Sequence, residues 1–304
     1  MERFMKNFFL FLAKSKILTR AAKAYGLRLG ASRFVAGETL EEAALAVKEL
    51  NDRGLAVTID YLGEFVDSEA EASERTKRLI DVLEMIGKEK LTAHVSVKLT
   101  SLGMNLSESL VLGNMRRILE AAEAHSVFVT IDMEDFAHCQ KTLEIFRMLK
   151  QEYDHVGTVL QAYLYRSLDD ASALKALCAR LRLVKGAYKE SPEVAFPEKK
   201  DVDENFKKLI KACLLNGNFT AVATHDEKII AYTKQLVKEH NIARDQIEFQ
   251  MLYGIRPERQ LELAREGYTM RVYVPFGTDW YGYFMRRLAE RPANAAFALK
   301  NLFK

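Results

Sequence analysis

The chain has 304 residues, 49% hydrophobic and 29% charged, which is the composition of an ordinary globular protein and not of a disordered or fibrous one. Its three cysteines (Cys139, Cys178, Cys213) show no CxxC spacing, and its six histidines form no HxxxH or HExxH, so neither a disulfide framework nor a metal site is expected. The net charge of +3 is unevenly spread: residues 1–37 hold eight Lys or Arg against one acid, Glu2, and the remainder is acidic. No nucleic-acid partner is expected.

The basic segment 1–37 reads as an amphipathic helical arm. Phe8, Phe11, Leu12 and Ile17 alternate with Lys6, Lys14, Lys16 and Arg20. Its apolar run Phe8–Ala13 is too short to cross a bilayer. Such an arm could lie on an anionic membrane surface or pack on its own domain. A helix is expected over Thr39–Arg53, with apolar residues at helical spacing and Gly54 as its stop.

From there one theme repeats to residue 304 in a single domain, 38–304. Short apolar runs are expected as strands at Leu55–Tyr61, His94–Leu99, Phe128–Met133, Val156–Tyr163, Leu181–Tyr188, Thr220–Thr224, Ile247–Tyr253 and Met270–Pro275. Helical stretches are expected over 67–88, 105–125, 135–152, 167–179, 201–215, 226–240, 257–266 and 279–290. Eight strand–helix units predict an α/β fold closed as a (β/α)8 barrel, with a doubly wound open sheet as the alternative. No GxGxxG or P-loop follows any strand. The cysteines fall in helical stretches beside apolar residues and are expected as buried thiols.

In a barrel the active site lies at the C-terminal strand ends. Those ends carry Asp60, Lys98, Asp132, Gln161, Arg182 with Lys185, Thr224 with His225, Gln250 and Tyr273. A buried charge is costly unless paired, so Lys98 and Asp132 on neighbouring strands are expected as an ion pair. Lys98 or Lys185 could also form a Schiff base. Arg182 and Lys185 suggest an anionic ligand, with Lys199 and Lys200 in the following loop able to serve its phosphates. On the final helix, Tyr283, Arg286, Arg287 and Glu290 share a polar face, while Trp280, Phe284 and Leu288 form an apolar stripe. Two guanidiniums beside a tyrosine suit a small carboxylate.

The strings SVKL, LVKGAY, ATH, FQMLYG and RVYVPFG…YFMRRLAE, in this order, resemble the proline dehydrogenase family over roughly residues 40–300. The resemblance implies a distorted (β/α)8 barrel with its last helix over the top. It implies noncovalent FAD, oxidation of L-proline to Δ1-pyrroline-5-carboxylate by hydride transfer to flavin N5, and reoxidation by membrane quinone. Carried over by motif, Arg286, Arg287 and Lys98 would hold the proline carboxylate. Tyr273, Tyr283 and Leu252 would line its ring, Glu290 would orient the arginines or touch the flavin side, and Asp132 would support Lys98 or the flavin site. Gln161, Arg182 (near N5), Lys185, Gly186, Ala187, Tyr188, Thr224 and His225 would meet the FAD, with Lys200 on its phosphate side. The chain departs from the family's common pattern where Asp226 follows His225. The resemblance is to the monofunctional branch, which implies a cytoplasmic enzyme, peripheral on the membrane through the basic arm. A Schiff-base barrel lyase and a catalytically silent membrane scaffold are the competing readings.

Overall fold

A computed structural model describes residues 31–290, with side chains as far as Met285. Its strands are β1 (Ala56–Tyr61), β2 (Ala93–Val97), β3 (Val129–Ile131), β4 (Val156–Gln161), β5 (Leu181–Val184), β6 (Thr220–Ala223), β7 (Ile247–Leu252) and β8 (Thr269–Phe276). They close in sequence order into one barrel, every neighbouring pair parallel, with β1 meeting β8 at Thr58↔Tyr273. The expected (β/α)8 architecture is therefore present, and the open-sheet alternative is excluded by the β1–β8 ladder.

The helices are α1 (Leu40–Asp52), α2 (Glu69–Glu89), α3 (Glu108–Ala124), α4 (Phe136–Glu152), α5 (Ser167–Ala173), α6 (Lys199–Leu215), α7 (Glu227–Glu239), α8 (Pro257–Arg265) and α9 (Trp280–Glu290). Local chemistry sets their starts. Thr39 and Glu42 close a capping box on α1, Ser68 caps α2 and Asp135 caps α4. Gly54 stops α1 at φ +77°, a left-handed position that costs a glycine least. Strands such as Val156–Gln161 are buried along their whole length because helices cover the outside and side chains fill the inside.

A second apolar cluster lies at the mouth of the barrel. There Trp280 and Phe284 of α9 pack with Phe34, Val35, Leu62 and Ile255. The apolar stripe expected on the last helix thus docks it, as far as its described side chains extend. From the basic segment, Ala31, Phe34 and Val35 belong to this cluster, and the Ala36 N–H is bonded to the Pro275 carbonyl.

Four expectations need correction. Most strands are shorter than their apolar runs, so Lys98, Asp132 and Lys185 lie just past the strand ends rather than within them. The helix expected over 167–179 stops at Ala173, and a 3-10 turn, Lys175–Leu177, follows. Leu174 and Ala179 are both fully buried, and a continuous helix would aim side chains five apart about 140° from each other. The turn lets both reach the core. It leaves Cys178 left-handed and exposed, against the expectation of a buried thiol, while Cys139 and Cys213 are buried as expected. Lys199 and Lys200 open helix α6 and are not in a loop.

Candidate active site

The C-terminal strand ends and α9 enclose a cavity of about 1330 Å³. That exceeds a typical small-molecule pocket of roughly 300–1,000 Å³ and leaves room for a large ligand beside a small one.

A buried charge cluster forms one end. Lys98 Nζ lies 2.7 Å from Asp60 Oδ1 and 3.3 Å from Asp132 Oδ2. The hydroxyl of Tyr273 donates to Asp132 Oδ2 at 2.7 Å. Arg182 Nη1 donates to Asp132 Oδ1 at 2.5 Å, and its Nη2 to Ser96 Oγ at 3.0 Å. The Arg182 guanidinium also stands 5.3 Å from the Tyr273 ring centre, a cation–π contact. Five strand ends thus meet in one group, with Asp132 accepting from three donors.

The pairing separates the two carboxyls. Burial alone would raise Asp132, but the Lys98 ammonium and the Arg182 guanidinium hold it below the usual aspartate value. Burial raises Asp60, and Lys98 offsets this only in part, with the Asp132 charge adding to the rise. Burial works against the Lys98 ammonium, yet Asp60, Tyr273 and Asp132 together keep it well above the ordinary lysine range. Tyr273 stays a phenol, pushed well up by burial and by the two aspartates. The expected Lys98–Asp132 pair is present, and Asp60, expected at a strand end of the site, is a second partner of Lys98 that the sequence had not paired with it. A signal for it existed: Thr58-Ile59-Asp60 repeats Thr130-Ile131-Asp132 on the strand two places away.

Along the cavity wall, Gln161 Nε2 donates to the Glu134 carbonyl at 3.0 Å. Gln161 Oε1 and Arg182 Nε are buried with no hydrogen-bond partner among the described residues. Buried polar groups are rarely left so, which marks them for a ligand. His225 Nε2 accepts the Leu252 N–H at 3.0 Å, and Arg256 grips the His225 carbonyl at 2.7 Å. Lys185 bridges Asp203 at 2.5 Å and Asp226 at 2.7 Å, and Lys199 pairs with the same Asp203. Asp226 therefore has a structural task, capping α7 and holding Lys185. Gly186 sits at φ +108°, where an added Cβ would come within 2.1 Å of the Tyr163 ring. Ala187, Tyr188, Thr224, Leu252 and Tyr283 also line the cavity.

Of the residues singled out from sequence, Lys98, Asp132, Gln161, Arg182, Lys185, Gly186, Ala187, Tyr188, Thr224, His225, Leu252, Tyr273 and Tyr283 are thus brought to one cavity. Lys200 is exposed on the first turn of α6 and is not among the lining residues. Arg286, Arg287 and Glu290 belong to α9, but their side chains lie outside the described residues. Sequence reasoning also missed Ser96, which holds Arg182, and the rim pair Arg75–Asp279 at 2.6 Å. No group of His, Cys, Asp or Glu able to hold a metal occurs among the described residues, nor a helix long and apolar enough to cross a membrane.

The family model for proline dehydrogenase matches residues 43–300. Proline dehydrogenase 1 of Bacillus subtilis (strain 168) is 58% identical over 300 residues, covering 99% of each chain. Proline dehydrogenase of Deinococcus radiodurans is 48% identical over 279 residues, 90% of each chain. Among solved structures, proline utilization A of Bdellovibrio bacteriovorus, inactivated by N-propargylglycine, superposes with a TM-score of 0.80 at 29% identity, covering 86% of this chain. This chain spans 32% of that longer protein's length.

Proposed function

The chain belongs to the proline dehydrogenase family, and from that premise we propose that it oxidises L-proline to Δ1-pyrroline-5-carboxylate. This is the first step of proline catabolism. We read the cofactor of this flavin-dependent family as FAD, with hydride passing from proline to flavin N5 and the electrons then to membrane quinone.

The observation that carries the reading is the pairing of a buried cation–tyrosine cluster with two buried polar atoms beside it, Gln161 Oε1 and Arg182 Nε, that lack hydrogen-bond partners among the described residues, inside one large cavity. The residues present fit a flavin. Gln161 Oε1 accepts and Arg182 Nε donates, so the wall meets a heterocycle that offers both. Gly186 takes a left-handed turn at the cavity wall, where any side chain would strike the Tyr163 ring. Lys185, Ala187, Tyr188, Thr224 and His225 would complete the FAD contacts. Bound FAD supplies a two-electron acceptor for the C–H bond that breaks.

The chain's own residues would bind and orient the substrate. Lys98, kept as an ammonium by Asp60 and Asp132, would attract the proline carboxylate, with Arg286 and Arg287 as the bidentate partners and Glu290 orienting them. Leu252, Tyr273 and Tyr283 would form the wall around the ring. Asp132 would act as the shared anchor of Lys98, Arg182 and Tyr273, holding each in one direction without reacting itself. The basic segment 1–37 would dock the cytoplasmic enzyme on anionic membrane near the quinone.

The Schiff-base reading is disfavoured by the same cluster. A nucleophilic lysine needs a lowered pKa, and that of Lys98 is raised. Lys185 is held between two carboxylates.

The test is an anaerobic visible spectrum before and after L-proline. Flavin bands that bleach on addition are expected. A purified protein that is colourless and cannot be reconstituted with FAD refutes the reading. Sedimentation with anionic liposomes at low salt checks the membrane proposal, and a full-length protein left wholly in the supernatant removes it.

A further inference from the structure

We propose that Arg75, on helix α2 at the rim of the cavity, is the positioning residue that seats the last helix over the substrate end of the cavity. The inference rests on the proline dehydrogenase reading of that cavity.

The guanidinium is engaged on four sides. Nη1 donates to the Leu62 carbonyl at 2.9 Å, in the loop after β1. Nη2 donates to Asp279 Oδ2 at 2.6 Å, the residue that immediately precedes α9. Its carbon stands 5.1 Å from the centre of the Tyr61 ring. It also lies against Gly63, where an added Cβ would come within 2.5 Å of the guanidinium carbon. Any other residue at 63 would push Arg75 out of this seat.

Tyr61 extends the joint. Its ring packs 5.2 Å from Phe276 at the end of β8, and a Cβ on Gly277 would meet it at 2.9 Å. The end of β1, the end of β8 and the start of α9 therefore share one contact, and Arg75 is the charged member that ties them. A planar fork is suited to this, since it serves a carbonyl and a carboxylate at once.

The consequence falls on the site. Tyr283 lies one turn beyond Asp279, is buried, and lines the cavity. Arg286 and Arg287 follow on the same helix. Moving the helix start displaces all three relative to Lys98 and Tyr273, which are fixed to the barrel. Catalytic sites tolerate little misplacement, so a loss at this joint reaches the substrate through the helix it seats. The pair is partly exposed, with 23% of the Arg75 and 35% of the Asp279 side chain accessible, so salt reaches it.

The experiment compares Arg75→Met, Arg75→Lys, Asp279→Asn and the Arg75→Met/Asp279→Asn pair with the native holoenzyme. Arg75→Met is expected to raise KM for L-proline about tenfold, the scale of one lost charge-assisted hydrogen bond, with kcat changed less than about twofold. Arg75→Lys recovers part of the loss, because an ammonium meets Asp279 or the Leu62 carbonyl but not both. The double variant is no worse than Arg75→Met. Native KM rises with salt more steeply than that of Arg75→Met, which keeps only the salt dependence of the carboxylate grip itself. Amide hydrogen exchange over residues 279–285 speeds up in Arg75→Met and Asp279→Asn while the barrel strands keep native protection.

Unchanged KM with unchanged exchange overturns the proposal. So does a uniform loss of melting temperature and activity that Arg75→Lys fails to relieve. If Arg75→Met does not fold, Asp279→Asn, which removes only a rim charge, decides by the same readouts. If the native chain does not turn over L-proline, the activity reading fails by itself, and exchange at 279–285 still decides the joint.

Discussion

Replacing Asp132 by Asn removes one charge and almost no volume, which isolates the role of the carboxylate in the buried cluster. Its Oδ1 accepts from Arg182 at 2.5 Å, and its Oδ2 from Tyr273 at 2.7 Å and Lys98 at 3.3 Å. Asparagine can keep its carbonyl toward Arg182, but its amide nitrogen then faces the ammonium and the phenol. Two charge-assisted hydrogen bonds are lost, at roughly 1.5–3 kcal/mol each. The total agrees with the roughly 3–5 kcal/mol expected for breaking a buried ion pair from one side. For a chain of this size the melting temperature should fall by about 5–10 °C. Thermal unfolding at pH 7, followed by circular dichroism, measures this. Lys98→Met, which removes the cation both aspartates share and leaves Asp60 without its ion pair, should cost a similar amount. The two changes together should cost less than their sum by about 1–3 kcal/mol, because each removes the other's partner. A loss within about 0.5 kcal/mol for Asp132→Asn, or strict additivity in the pair, refutes the assignment of Asp132 as the shared anchor.

Further outcomes follow from the same structure. Because Lys98 is held above its ordinary pKa, its contribution is complete below the unfolded value of about 10.4 and is lost only as pH rises through the folded one; the stability gap between native and Lys98→Met should stay flat from about pH 6 to 9, and a decline there refutes the pairing. Burial raises the Glu134 carboxyl, although the Thr100 hydroxyl and N–H oppose this. Its contribution is therefore full below about pH 4.3 and lost as pH rises through the folded value, so the advantage of native over Glu134→Gln should shrink in melting scans as pH is raised above about 4.3. Gly186→Ala should destabilise by about 1–3 kcal/mol and weaken flavin retention on dialysis, since the new Cβ strikes the Tyr163 ring at a left-handed φ; full retention with native stability counts against Gly186 as a close-approach position.

Much of this protein is legible in its linear order. Alternating strand and helix periods determine a parallel sheet with crossovers, and eight of them are enough to close it. Polar residues at the ends of apolar runs mark the site, and the ordered strings from Ser96 to Glu290 determine the family. The helix caps Thr39, Ser68 and Asp135 are local interactions and are readable for that reason. What only the tertiary structure decided is which charges meet. Asp60 reaches Lys98 across 38 positions, Arg182 reaches Asp132 across 50, and Arg75 reaches Asp279 across 204. Strand ends were likewise decided by closure, which leaves Lys98 past β2, free to turn inward. Periodicity reports the direction of a side chain relative to its own element. An ion pair depends on the distance between two elements, and that exists only once the barrel has closed.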